Sequence, residues 1–218
     1  MINALISNPL VFLIGLIAIL ASLSFHEFSH AVAGTLLGDD TARRAGRLTL
    51  NPVAHVDFLG LLALVTVGFG WGKPVPFNPY NLREQKWGPA LVGAAGPFSN
   101  LLLIVIAAAA LRIVLTATGL QADNALVFFL AFMVQINAAL LFFNLIPIPP
   151  LDGSKFLLSA LSSPKHYALR QALETKGPIY LLLLILGDSL IFNGLIFGTL
   201  FRAVVGVINA VFGLNGAI

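Results

Sequence analysis

The residues best equipped for chemistry lie in one run, His26-Glu27-Phe28-Ser29-His30, which reads H-E-x-x-H. On a helix, residues four apart share a face one turn above the other, so two imidazoles at this spacing can bind one small metal ion. Glu27 stands beside the first imidazole, within reach of a water activated by that metal. This is the arrangement of a zinc-dependent peptide hydrolase. Zinc lowers the pKa of a water molecule. A neighbouring carboxylate takes the proton as general base and returns it to the leaving amine.

A hydrolytic zinc takes three protein ligands and keeps one open position. His26 and His30 account for two, so a distant His, Glu or Asp must be the third. One candidate is Asp152, in Asn144-Leu-Ile-Pro-Ile-Pro-Pro-Leu-Asp152-Gly153. The others are His55 and Asp57, in Leu50-Asn-Pro-Val-Ala-His55-Val-Asp57. Asp152 is preferred, because three prolines and a glycine around it look like backbone built to aim one side chain. His55 and Asp57 then become outer-layer groups that orient ligands or substrate. Asn144, just before the proline-broken stretch, is a candidate hydrogen-bond donor to the oxyanion.

The elements that must position these groups are membrane helices. The 218 residues are 58% hydrophobic and only 10% charged, against about 25% charged in a soluble domain. At about 20 residues per span, the expectation is an all-α polytopic membrane protein with about five to six transmembrane helices. The metal motif falls inside the first apolar run, residues 10–37. Ionisable side chains in such a run are costly unless they have a function. Apolar stretches follow over 58–67, 88–118 and 125–145, with a short helix expected over 154–161. Beyond Pro178 the chain is apolar to about Phe212, interrupted by Gly187-Asp188-Ser189 and by Arg202, and whether this is one kinked span, a span plus an interfacial helix, or two helices stays open. The 58–67 stretch is too short to span and reads as a re-entrant or short β-like element beside the site. Residues 71–78, Trp-Gly-Lys-Pro-Val-Pro-Phe-Asn, read as extended, with Val75 and Phe77 on an edge that an unwound substrate could pair with. Gly96, Pro97 and Asn100 read as packing and helix-start features. The expected organisation is one integral-membrane domain over 1–218, with a catalytic core over 10–160 and C-terminal helices over 164–213.

Ten of the twelve Lys and Arg residues fall in segments assigned to the cytoplasmic side, Arg112 and Arg202 being the exceptions. That places the site in the cytoplasmic half of a multi-pass cell-membrane protein. The small net charge of +3 reads as a topology signal and argues against nucleic-acid binding. With no cysteine in the chain, disulfides and cysteine-metal sites are excluded.

The combination of His26-Glu-Phe-Ser-His30 in a membrane helix with Asn144 to Gly153 at the end of a later one resembles the site-2 protease family (peptidase M50). Gly38-Asp39, the 50–57 stretch and Ala95-Gly-Pro-Phe-Ser-Asn100 look like its compact prokaryotic branch, without PDZ or CBS domains. The resemblance implies a three-helix catalytic core and one zinc held by His26, His30 and Asp152. It further implies Glu27 as catalytic base and Asn144 and Pro150 near the substrate. It implies regulated intramembrane proteolysis of transmembrane protein or peptide substrates, often pre-cut by another protease, in contact with membrane lipid. The oligomeric state is not readable. The rival readings are a membrane metal-binding transporter, which leaves Glu27 unexplained, and a catalytically silent scaffold, which leaves the full set of catalytic residue types unexplained.

Overall fold

The computed structural model describes residues 8–67, 70–121 and 123–214. Within these it is all-α. The first helix, α1, runs Pro9–Leu36. It opens on Asn8, whose side chain accepts from the Val11 amide, with Pro9 at the first helical position. It ends where Gly38 adopts φ +106°, a conformation open to glycine. A single turn, α2 (Thr41–Arg44), comes next. It is succeeded by α3 (Phe58–Val67), α4 (Gly88–Thr118) and α5 (Ala125–Asn144). Then come α6 (Gly153–Ala160), α7 (Tyr167–Ile191) and α8 (Leu195–Phe212). Helix α4 stops at Gly119 in the left-handed region, and α5 restarts on Asn124, which caps the Leu126 amide.

Four of these helices, α1, α4, α5 and α8, are long and apolar enough to cross a membrane. Helix α7 has 25 residues, but its first half carries Arg170, Glu174 and Lys176, and it is not one of the four. The span count of five to six therefore turns on α7 and on the ten-residue α3, which at 1.5 Å per residue is about half a bilayer core long. The apolar tract beyond Pro178 resolves into two helices. Pro178 lies inside α7, and the break falls at residues 192–194 rather than around Gly187. Buried Asp188 makes that turn: its carboxylate accepts the Ile196 and Phe197 amides at the start of α8.

The core is built by α4 packed along α5 and α1, with α1 also against α5. Alanines line its helix contacts, at Ala18, Ala107, Ala108, Ala131 and Ala138, and larger side chains such as Ile104, Leu111, Val127, Met133 and Val134 fill the space between them. Small residues let membrane helices approach closely, which replaces the hydrophobic drive that lipid removes. Helix α6 docks on α4, and α8 on α5 and α4. The large exposed side chains of the spans, such as Leu13, Ile17, Leu102, Ile106 and Ile113, form a surface suited to lipid.

Between α3 and α4 the chain crosses the mouth of this core as an extended strap. Val56 and Gly72 make an isolated antiparallel bridge, and the Lys73 amide donates to the His55 carbonyl at 2.8 Å. Residues 71–78 are thus extended, as their sequence reads, whereas the 58–67 stretch is the helix α3 and not a β-like element. Gly68, Phe69 and the polar start at residues 1–7 lie outside the described residues.

Candidate metal and hydrolase site

One helical turn on α1 aims both imidazoles at the same point. The Nε2 atoms of His26 and His30 are 3.1 Å apart, and each lies 3.1 Å from Asp152 Oδ2. All three residues are buried. Asp152 arrives from the far end of α5. Pro147, Pro149 and Pro150 forbid a continuing helix there, and Asp152 sits directly before α6. Its other oxygen, Oδ1, accepts from Lys155 Nζ at 2.8 Å. A single carboxylate oxygen is thereby left facing the imidazoles.

The opposite faces of the rings are also held. His30 Nδ1 lies 2.7 Å from the Val92 carbonyl, and His26 Nδ1 lies 2.6 Å from Asn100 Oδ1. Each ring thus donates from Nδ1 to an oxygen and turns the Nε2 lone pair inward. Three electron-rich atoms converge with no proton of their own to share, and a cation is what such a set accepts. His26, His30 and Asp152 form a group able to hold a metal ion, with the two-imidazole, one-carboxylate donor set of hydrolytic zinc sites. The backbone of α4 leaves room for it. A Cβ on Gly96 would lie 2.4 Å from His30 Nε2 and 2.6 Å from His26 Nε2, inside the converging donors. Gly96 has to be glycine for this reason.

Half-buried Glu27 lines the same cavity of about 150 Å³, with Pro74, Val75 and Phe77 of the strap and with Asn144, Pro150 and Lys155. That volume exceeds by far the roughly 10–15 Å³ needed for one water. Glu27 Oε2 accepts the Val75 amide at 3.1 Å. Lys155 Nζ lies over the Phe77 ring, 5.3 Å from its centroid.

The strap is tied at both ends. Toward α3, Arg47 donates to the Lys73 carbonyl, and buried His55 sets Nε2 at 2.7 Å from the Thr49 carbonyl. Toward α4, Asp39 accepts from the Asn78 amide (2.6 Å), Asn81 Nδ2 (2.9 Å) and Thr41. Burial works against the charge on Asp39, but these hydrogen bonds outweigh it and hold its carboxyl below the ordinary value.

Of the residues singled out in the sequence, the fold brings His26, Glu27, His30, Asn144, Pro150 and Asp152 to one cavity. His55 and Asp57 do not line it. His55 holds the strap through its backbone carbonyl, which accepts the Lys73 amide, and Asp57 accepts the Gly60 amide and so caps α3. Asn100, read as packing, instead contacts His26 directly. Asn137 drew no reading although it donates and accepts in the same buried network. The available signal was an amide in mid-span, where a polar side chain without a partner is costly.

Comparison with known proteins fits this geometry. The chain is 36% identical over 172 residues to "Putative zinc metalloprotease YwhC" of Bacillus subtilis (strain 168), covering 77% of this chain and 78% of that one. The chain belongs to peptidase family M50, the site-2 proteases. The pattern of Peptidase family M50 matches residues 112–186, the segment that contains Asp152. A second relative, "Putative zinc metalloprotease Rip2" of Mycolicibacterium smegmatis, is 33% identical over 185 residues, 80% of this chain and 68% of its own. Its namesake in Mycobacterium tuberculosis (strain H37Rv) is 34% identical over 199 residues, 88% and 73% respectively. No solved structure matches the chain.

Proposed function

We propose that this chain hydrolyses peptide bonds within or near transmembrane segments of membrane proteins, from a site in the cytoplasmic half of the bilayer of a multi-pass cell-membrane protein. The coarser statement is firm: the M50 family and the zinc metalloproteases named among its relatives make it a membrane-associated zinc metalloprotease with a peptide or protein substrate. The observation that carries the finer reading is the convergence of His26, His30 and Asp152 in an apolar helical core with Glu27 on the same cavity.

In this reading His26, His30 and Asp152 hold one zinc per chain. Zinc, when bound, supplies Lewis acidity that activates water and polarises a carbonyl. Glu27 is the proton carrier. The Val75 amide holds its Oε2, which leaves the other carboxylate oxygen to take a proton from water and pass it to the leaving amine. Asn144 and Pro150 line the substrate side, Asn144 as a donor to developing negative charge. Val75 and Phe77 line the cavity beside Glu27, on an extended strap whose remaining backbone groups can pair with a substrate that has lost its helix. Such pairing satisfies the backbone groups that unwinding frees. The whole chain, 1–218, works as one membrane domain in lipid, on substrates that include stubs left by a first protease.

The test compares protease with transporter. Reconstituted protein is given a transmembrane peptide with its peptide bonds in lipid, and zinc movement across the vesicle is followed in parallel. The expected result is cleavage abolished by a chelator and restored by zinc, without zinc flux. Zinc flux without cleavage would overturn the reading.

A further inference from the structure

The network behind His26 runs through all three core helices. His26 Nδ1 on α1 faces Asn100 Oδ1 on α4 at 2.6 Å. Asn100 Nδ2 faces Asn137 Oδ1 on α5 at 2.8 Å. Asn137 Nδ2 then lies 2.8 Å from both the Met133 carbonyl and Ser22 Oγ, back on α1. Asn100, Asn137 and Ser22 are each 0% exposed. No bulk water reaches them to substitute for a lost partner.

The direction of every bond in this network is set by its last member. A backbone carbonyl only accepts. Asn137 must therefore turn its NH₂ toward Met133, which leaves its oxygen toward Asn100. Asn100 must answer with its own NH₂, which leaves its oxygen toward His26. His26 must then carry its proton on Nδ1, and its Nε2 lone pair is free to point at Asp152 and His30. An amide's orientation is decided by its network, and here a carbonyl on α5 decides a tautomer on α1. His30 needs no relay, because its Nδ1 meets the Val92 carbonyl directly.

We propose that Asn137 is a positioning residue: through Asn100 it locks His26 in the Nδ1–H tautomer and so keeps Nε2 available to the metal. The proposal rests on the assignment of His26 as a zinc ligand. Groups that orient a metal-binding histidine typically contribute about 10–100-fold to metal affinity.

The experiment uses the full zinc-loaded chain in micelles with ¹⁵N-labelled histidine, and zinc affinity from competition with a chelator. Wild type should show two ring Nδ1–H signals, from His26 and His30, both slow to exchange. Asn137→Leu should lose or broaden the His26 signal, keep that of His30, and weaken zinc binding about 10–100-fold. Adding Asn100→Asp to Asn137→Leu should restore both, because a carboxylate offers His26 only an acceptor, whatever lies behind it. An Asn137→Leu protein with wild-type zinc affinity and an intact His26 signal would overturn the proposal, as would loss of both histidine signals together. Should Asn137→Leu not fold, wild type still decides: a His26 ring lacking the Nδ1–H proton overturns it. Failure of wild type to bind zinc would instead overturn the ligand assignment, so the two failures are distinguishable.

Discussion

Asp152 is the residue on which the site closes, because it brings a carboxylate oxygen to the point where the two imidazoles converge. Its Oδ2 faces both histidines while Lys155 takes Oδ1. Replacing it with alanine should leave two ligands and a half-buried lysine without its partner. Zinc affinity should fall by more than the 10–100-fold expected of an outer-layer group, measured by chelator competition. Unchanged zinc content would remove Asp152 from the site. The sequence made this residue legible for a physical reason: prolines and a glycine around one carboxylate leave few backbone paths, and all of them aim it. Asn100 and Asn137 were harder to read. A single amide in an apolar run has no spacing signature, and its meaning depends on partners 74 and 37 residues away.

At the scale of elements, two contacts can be tested by substitution. The first is the approach of α4 to the histidine face of α1 at Gly96. Gly96→Ala improves helix propensity by about 1 kcal/mol, yet places a methyl against the His26 and His30 rings. Zinc binding should be lost while helix content, read by circular dichroism, is kept. Gly187→Ala on α7, where a Cβ would meet nothing within 4 Å, should leave zinc binding unchanged. The second contact is Asp39, which ties the strap to the end of α1. Because its folded carboxyl titrates below the ordinary 3.8, its contribution is fully present above that value. It is lost as pH falls through the lower folded value. Thermal stability in detergent should therefore drop more steeply below about pH 4 in wild type than in Asp39→Asn. Parallel profiles would contradict the assignment. Helix limits were largely legible because Asn8-Pro9, Gly119 and Asn124 are strong local stop and start signals. The strap's tethers were not, since Arg47, His55 and Asp39 act through tertiary hydrogen bonds that no local pattern announces.

For the whole molecule, the apolar composition and the single metal motif sufficed to anticipate an all-α membrane protein built around a hydrolytic centre. What composition could not convey was how the tract after Pro178 divides. The interruption at Gly187-Asp188-Ser189 lies inside α7, where a Cβ added at Gly187 would meet nothing within 4 Å, and Pro178 too is accommodated in mid-helix. The turn is instead made by Asn193 and Gly194, both at positive φ, with Asp188 capping the first turn of α8. The central claim is that a three-residue metal centre and one carboxylate do hydrolytic work inside this helical core. The most direct measurement compares wild type with Glu27→Gln, side by side, for bound zinc and for cleavage of a transmembrane peptide. The expected result is one zinc per chain in both proteins and a loss of cleavage of about 10²–10⁴-fold in Glu27→Gln. Equal cleavage by the two proteins, or cleavage by wild type that persists after zinc is stripped, would contradict it.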